Sequence, residues 1–171
     1  MATRIGKYKV GSKESTLSFA GTKGDRIAKG LKRPVVALTD AGAATAIRSA
    51  LTAAESGTIF TVPELTTGTQ TIALPAPKVG VTYTFVTVDT ADQIFNVETD
   101  VSATKILAVK PKGDGDNTAI SQGYDKIGFK AAAVLGSMFS VTCISETAAV
   151  AWMAHDVIDG LAANVGSIDL A

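Results

Sequence analysis

The sequence predicts a mainly β fold, an antiparallel β-sandwich or barrel of jelly-roll type with one short helix and an extended N-terminal arm. Three observations predict it. Beyond Gly57 apolar and polar residues alternate with a period of two, the pattern of a half-buried strand. Threonine, a β-branched residue, occurs 21 times and falls mostly where a strand would present its polar face. Turn-forming clusters recur at short intervals with almost no helical patterning between them, which favours packed or closed sheets.

The clearest strand is VTYTFVTV at 81–88, where Val81, Tyr83 and Phe85 alternate with Thr82 and Thr84. The same β-branched and aromatic character marks TIFTV (58–62), TQTIAL (69–74), QIFNVE (93–98), TKILAVK (104–110), SMFSVTCI (137–144) and AVAWM (149–153). Between these segments lie Pro63 with Thr67-Gly68, Pro75 and Pro77 with Gly80, Asp89 to Asp92, GDGDN at 113–117, and Ser145 to Thr147. Pro75 and Pro77 stop a ladder after Leu74, and Gly80 permits a reversal. Val81, Tyr83 and Phe85 then return along the core face, so the stretch reads as a hairpin-like unit with a rigid corner.

Ahead of the strands, residues 35–38 form a short apolar run. TDAGAATAIRSALTAAESG follows, in which Thr39 or Asp40 caps a predicted helix, Ala44, Ile47 and Leu51 fall at helical spacing, and Gly57 ends it. Residues 1–33 contain scattered apolar side chains among five glycines and nine cations, too few for a core, and read as an extended basic arm on a β-rich body at 34–171. Net charge is zero over the whole chain, yet up to Val35 nine cations face two acids, leaving seven cations and fourteen acids in the remainder. A basic arm and an acidic body suit different partners.

Composition bounds the function. With 46% hydrophobic and 19% charged residues the body has enough apolar material to fold. The single cysteine, Cys143, excludes an internal disulfide framework and a cysteine-rich zinc site. The N-terminus lacks the apolar segment of a secretory signal, and the longest nearly apolar stretch, residues 131–139, is about half the length of a membrane-spanning helix. No G-x-S-x-G, Walker loop, G-x-G-x-x-G or H-E-x-x-H occurs. Asp114, Asp116 and Asn117 echo the opening of a calcium loop without its distal Glu, and a turn explains them better. Nothing in the spacing selects a carboxylate pair such as Glu64 with Glu98 for catalysis. The single histidine, His155, precedes Asp156; it pairs with Cys143 only if the fold joins them, and the parity of Cys143 with Phe139 and Val141 favours a buried thiol. No catalytic residue, metal or cofactor is expected. Nucleic acid is the weaker reading of the arm, whose cations are interleaved with glycine and serine instead of clustered.

The stretch LTAAESGTIFTVPELTTGTQTIALPAPKVGVTYTFVTV, with S-G-T-x-F, a short gap, T-x-x-L-P-x-P and then G-x-x-Y-x-F, resembles β-domains of tailed-bacteriophage structural proteins, among them capsid decoration (cement) proteins and some fibre components. The likeness continues more weakly at GSMFSVTCIS and the strand carrying Trp152. It implies a non-enzymatic virion protein, made in the host cytoplasm and placed on the capsid surface. Its expected partners are the major capsid protein and further copies of itself, as a homotrimer. The arm residues expected to touch the capsid are Arg4, Lys7, Tyr8, Lys9, Lys13, Phe19, Lys23 and Arg26. The alternative is a fibre-like, glycan-binding module using Trp152, Tyr83 and Tyr124 as stacking surfaces.

Overall fold

A computed structural model of the chain describes residues 33–89, 93–99, 104–108, 121–131, 133–158 and 168–170. The expected capsid-contacting arm residues lie outside these, as does the acidic turn at 113–117. All elements below belong to the unit Pro34–Ala171.

Among the described residues the structure is mainly β. The strands are β1 (Val35–Ala37), β2 (Ile59–Val62), β3 (Gln70–Ala73), β4 (Thr82–Thr87), β5 (Phe95–Glu98), β6 (Lys105–Ala108), β7 (Ser121–Tyr124), β8 (Lys126–Phe129), β9 (Met138–Cys143), β10 (Val150–Ile158) and β11 (Ile168–Leu170). Each of the seven period-two segments yields a strand, β2 to β6, β9 and β10, and the apolar run after Pro34 yields β1. Strands β7, β8 and β11 are additions that the sequence pattern did not mark.

The strands form a seven-stranded sheet in the order β1-β2-β4-β9-β10-β6-β7 and a four-stranded sheet in the order β11-β8-β5-β3. Both sheets are mixed, which corrects the expectation of antiparallel pairing. β1 with β2, β2 with β4, β3 with β5, and β6 with β10 run parallel. The cause lies in the corners. β2 and β4 belong to one sheet while β3, between them in sequence, belongs to the other. The Pro75–Gly80 corner is therefore an arch that carries the chain from sheet to sheet, not a hairpin joining ladder neighbours. Two such arches in succession return the chain beside its starting strand and in the same direction. Neither sheet closes into a barrel, since β1 and β7 bound one and β11 and β3 bound the other among the described residues.

The helix expected after Thr39 is absent; one 3-10 turn at Ala53–Glu55 is all that forms there. Its apolar positions are used differently. Residues 45–51 run beside β3, with the Ile47 N–H donating to Thr71 O, the Thr71 N–H to Thr45 O, and the Leu51 N–H to Ala73 O, while Ile47 and Leu51 are buried. Tertiary pairing overrides the helical propensity of the alanine-rich segment. Asp40, instead of capping a helix, accepts from the Thr66 N–H (3.1 Å) and hydroxyl (2.5 Å), the Gly42 N–H (2.9 Å) and the buried Gln70 amide. These bonds, Thr66 and Gln70 foremost, hold its carboxyl well below the usual carboxylate range.

The core is a ladder of aromatic rings. Phe60, Phe85, Phe139, Tyr83 and Trp152 from the larger sheet meet Phe95 and Phe129 from the smaller, with cross-sheet centroid distances of 5.7 Å for Phe85–Phe95 and 5.0 Å for Phe129–Phe139. Five of the six phenylalanines are thus buried together. The Tyr83 hydroxyl is satisfied by donating to Thr52 O at 2.7 Å, and burial, with Glu55 and Cys143 nearby, pushes its pKa up to about 12. In the smaller sheet Gly128 faces Asn96 across the ladder, and a Cβ there would lie 1.9 Å from Phe95 O. Only glycine fits that approach.

Candidate functional site

Because strand side chains alternate in direction, the larger sheet has a second face opposite the rings. Ladder register assigns it. Thr82 pairs with Thr142 and Thr84 with Ser140 between β4 and β9, and Met153 and His155 pair with Thr142 and Ser140 between β9 and β10. Ile59 extends the Thr84 row onto β2, and Val35 extends it onto β1. None of these side chains is a carboxylate, ammonium or guanidinium. These positions carry hydroxyls, short aliphatics, methionine and one imidazole, most of them half-buried, while Lys105 on β6, alternating with buried Ile106, adds an ammonium to the same face.

Its hydroxyls bond across the ladder. Thr82 Oγ1 lies 2.8 Å from Thr142 Oγ1, and Thr84 Oγ1 lies 2.9 Å from Ser140 Oγ; Thr84 and Ser140 are buried although they point away from the aromatic core. His155 sits diagonally from Thr142, within reach across the ladder. Its Nε2 is 2.7 Å from Thr142 Oγ1, and its Nδ1 is 2.9 Å from Asp156 Oδ2. The imidazole and carboxylate are accessible, at 33% and 64% side-chain exposure.

That last contact needs a departure from strand geometry. Neighbours in a regular strand point to opposite faces, so His155 and Asp156 should not meet. Asp156 is the one non-glycine residue with positive φ among those described, at 51°, and the β9–β10 register shifts between His155 and Ile158. The irregularity turns the Asp156 side chain back towards the ring. Asp tolerates the left-handed region better than most residues, and strain of this kind gathers at functional sites.

Cys143 and His155 are not brought together. Cys143 pairs with Trp152 on the core side, where burial raises its thiol pKa, whereas His155 is on the outer face. Trp152 and Tyr83 are almost wholly buried, and Tyr124 packs partly against the core, so the stacking surface expected for glycan is confined to Tyr124 among those three. The partner of His155 that sequence reading missed is Thr142. The signal was present: in SMFSVTCI, Thr142 has the opposite parity to buried Cys143, which puts it on the polar face.

At its margins the larger sheet exposes apolar side chains. Val88, Leu135 and Ile158 are exposed at the same end, where the Gly136 N–H donates to Thr87 O and Ile158 pairs with Met138. Val79 and Ile144 lie at the opposite end, where the Gly80 N–H donates to Cys143 O. Val35 and Val36 are exposed on edge strand β1. Two further charged pairs make structural contacts. Arg48 bonds Glu55 at 2.7 Å and lies 5.6 Å above the Phe60 ring, and Lys105 pairs with Asp125.

Among the described residues no group of three His, Cys, Asp or Glu side chains is placed to hold a metal ion, and no helix is long and apolar enough to cross a membrane. Comparison with family models, curated proteins and solved structures returned no match.

Proposed function

We propose that the chain is a capsid decoration protein of a tailed bacteriophage, acting by cohesion between subunits and not by turnover. In this reading a homotrimer of mainly β bodies in a sandwich-like arrangement sits on the capsid surface, and the basic N-terminal segment attaches to neighbouring capsid protein. The observation that carries the reading is the set of apolar side chains, Val88, Leu135 and Ile158, exposed at one end of the larger sheet beside a face rich in neutral hydroxyls. Such a surface is inexpensive to desolvate, and side chains of this kind exposed together mark contact sites more often than solvated ones. The sequence resemblance supplies the partner. Repetition by capsid symmetry lets modest contacts add into firm attachment.

The test is co-sedimentation of the purified protein with phage shells that lack their decoration subunit, together with light scattering of the free protein. The expected result is a particle of three times 17.5 kDa that sediments with shells. Leu135→Asp should weaken that binding, and so should removal of residues 1–33. A monomer that ignores the shells overturns the reading. The glycan-binding alternative is weakened by the burial of Trp152 and Tyr83.

A further inference from the structure

We infer that Thr142 is an activated hydroxyl, a modification site that takes an acyl group from donors with good leaving groups, with His155 as its general base and Asp156 as the residue that positions the base.

Proton bookkeeping fixes the direction of the chain of contacts. A carboxylate can only accept, so the 2.9 Å contact to Asp156 places the proton of the neutral imidazole on Nδ1. Nε2 is then an acceptor, and the 2.7 Å contact means that the Thr142 hydroxyl donates to it. Thr142 has spent its single proton there. The 2.8 Å contact with Thr82 must therefore be donated by Thr82. Every donor in the row points the same way, towards the imidazole, and leaves a lone pair of Thr142 Oγ1 as the nucleophile. A hydroxyl whose base is in turn held by a third group is the general arrangement of an activated nucleophile.

The second observation is independent of those distances. A regular β10 would send Asp156 to the other face. The positive φ of Asp156 and the register shift beside it are what bring the carboxylate to Nδ1. Both are accounted for if the carboxylate orients the ring.

The reaction follows with atoms balanced. Oγ1 of Thr142 bonds to the acyl carbon while its proton passes to His155 Nε2. The bond from that carbon to the leaving group then breaks, and the departing aryloxide or thiolate takes the proton back, leaving an O-acyl threonine. The donor class is restricted by the ladder. β9 is an inner strand bonded to β4 and β10, so its backbone N–H groups are engaged and form no oxyanion hole. Aryl esters and thioesters react without one; amides do not.

The experiment treats the full-length folded protein with p-nitrophenyl acetate and maps adducts by peptide mass spectrometry, with lysine acetylation in the same sample as the internal control. The expected result is an acetyl group on Thr142, lowered about a hundredfold by His155→Gln, the usual scale of one general base. Asp156→Asn should lower it as well, Thr142→Ser should keep the adduct at position 142, and lysine labelling should stay unchanged throughout. Circular dichroism confirms that each variant is folded. An adduct at Thr142 that is equally abundant in His155→Gln, or labelled lysines beside an unlabelled Thr142, overturns the inference.

Discussion

The two faces of the seven-stranded sheet are built from the same strands by different rules. On the inner face Tyr83, Phe85, Phe139 and Trp152 are fixed by shape, each ring seated among others at 5 to 6.3 Å. On the outer face Thr82, Thr84, Ser140 and Thr142 are fixed by hydrogen bonds between like hydroxyls. Shape matching over large rings leaves little room for change, because a close-packed interior does not collapse around a deletion. Hydroxyl pairs need only a donor and an acceptor at the right separation. The inner face therefore secures the fold, and the outer face is free to acquire chemistry or a partner.

The contrast can be broken at several points. Phe85→Ala removes the ring that touches Phe60, Phe95 and Phe139 and should destabilise by about 3–5 kcal/mol in chemical denaturation. Gly128→Ala extends the test to the smaller sheet. Its Cβ would press on the backbone oxygen of Phe95, so a loss of about 3 kcal/mol is expected, at the upper end for overpacking. A loss below about 1 kcal/mol would show that β5 and β8 can shift apart locally within the smaller sheet.

On the outer face Ser140→Ala should cost about 1–2 kcal/mol because it removes a bond from buried Thr84. Adding Thr84→Val should cost less than the sum of the single changes, which a double-mutant cycle measures. Additive losses would mean that the hydroxyls are not acting as a pair. Thr82→Val, on a half-exposed position, should shift stability by only about 0.5 kcal/mol.

A polar cluster off both faces supplies a pH reference. The Asp40 carboxyl is depressed in the folded chain, so its contribution is present above the unfolded pKa of about 3.9 and is lost as the pH falls towards the folded value. Asp40→Asn should lower the unfolding midpoint at neutral pH and converge with the unmodified protein in acid. Curves that stay parallel below pH 4 would assign the acid sensitivity elsewhere.

The strands were legible because burial on one face imposes a period of two, and every segment chosen on that ground formed a strand. The segments missed are short or uneven. KIGF in β8 carries the obligatory Gly128, and SQGY in β7 has no alternation. The helix failed because spacing at i, i+3 and i+4 does not distinguish a helical face from an extended segment whose Ile47 and Leu51 reach the core separately. Strand partners were illegible because turn residues announce a reversal without saying into which sheet. For the site, His155 and Asp156 were visible as neighbours, but two adjacent strand residues are expected on opposite faces, and a lone Asp in a strand pattern does not say that the backbone will turn left-handed there. Thr142 could be assigned to the polar face by parity; its contact with His155 required the β9–β10 register.

Alternation of successive strands between sheets also governs how the molecule can be made. As the chain leaves the ribosome, β4 finds only β2 as a neighbour, and its other flank stays open until synthesis reaches Met138. No stable piece can be set aside early. A fragment ending at Phe129 would hold β4 and β6 without β9 and β10, leaving inner strands as bare edges. Folding must wait for distant partners, which makes it slow and concerted, and cool, slow expression should favour recovery of native protein over aggregates.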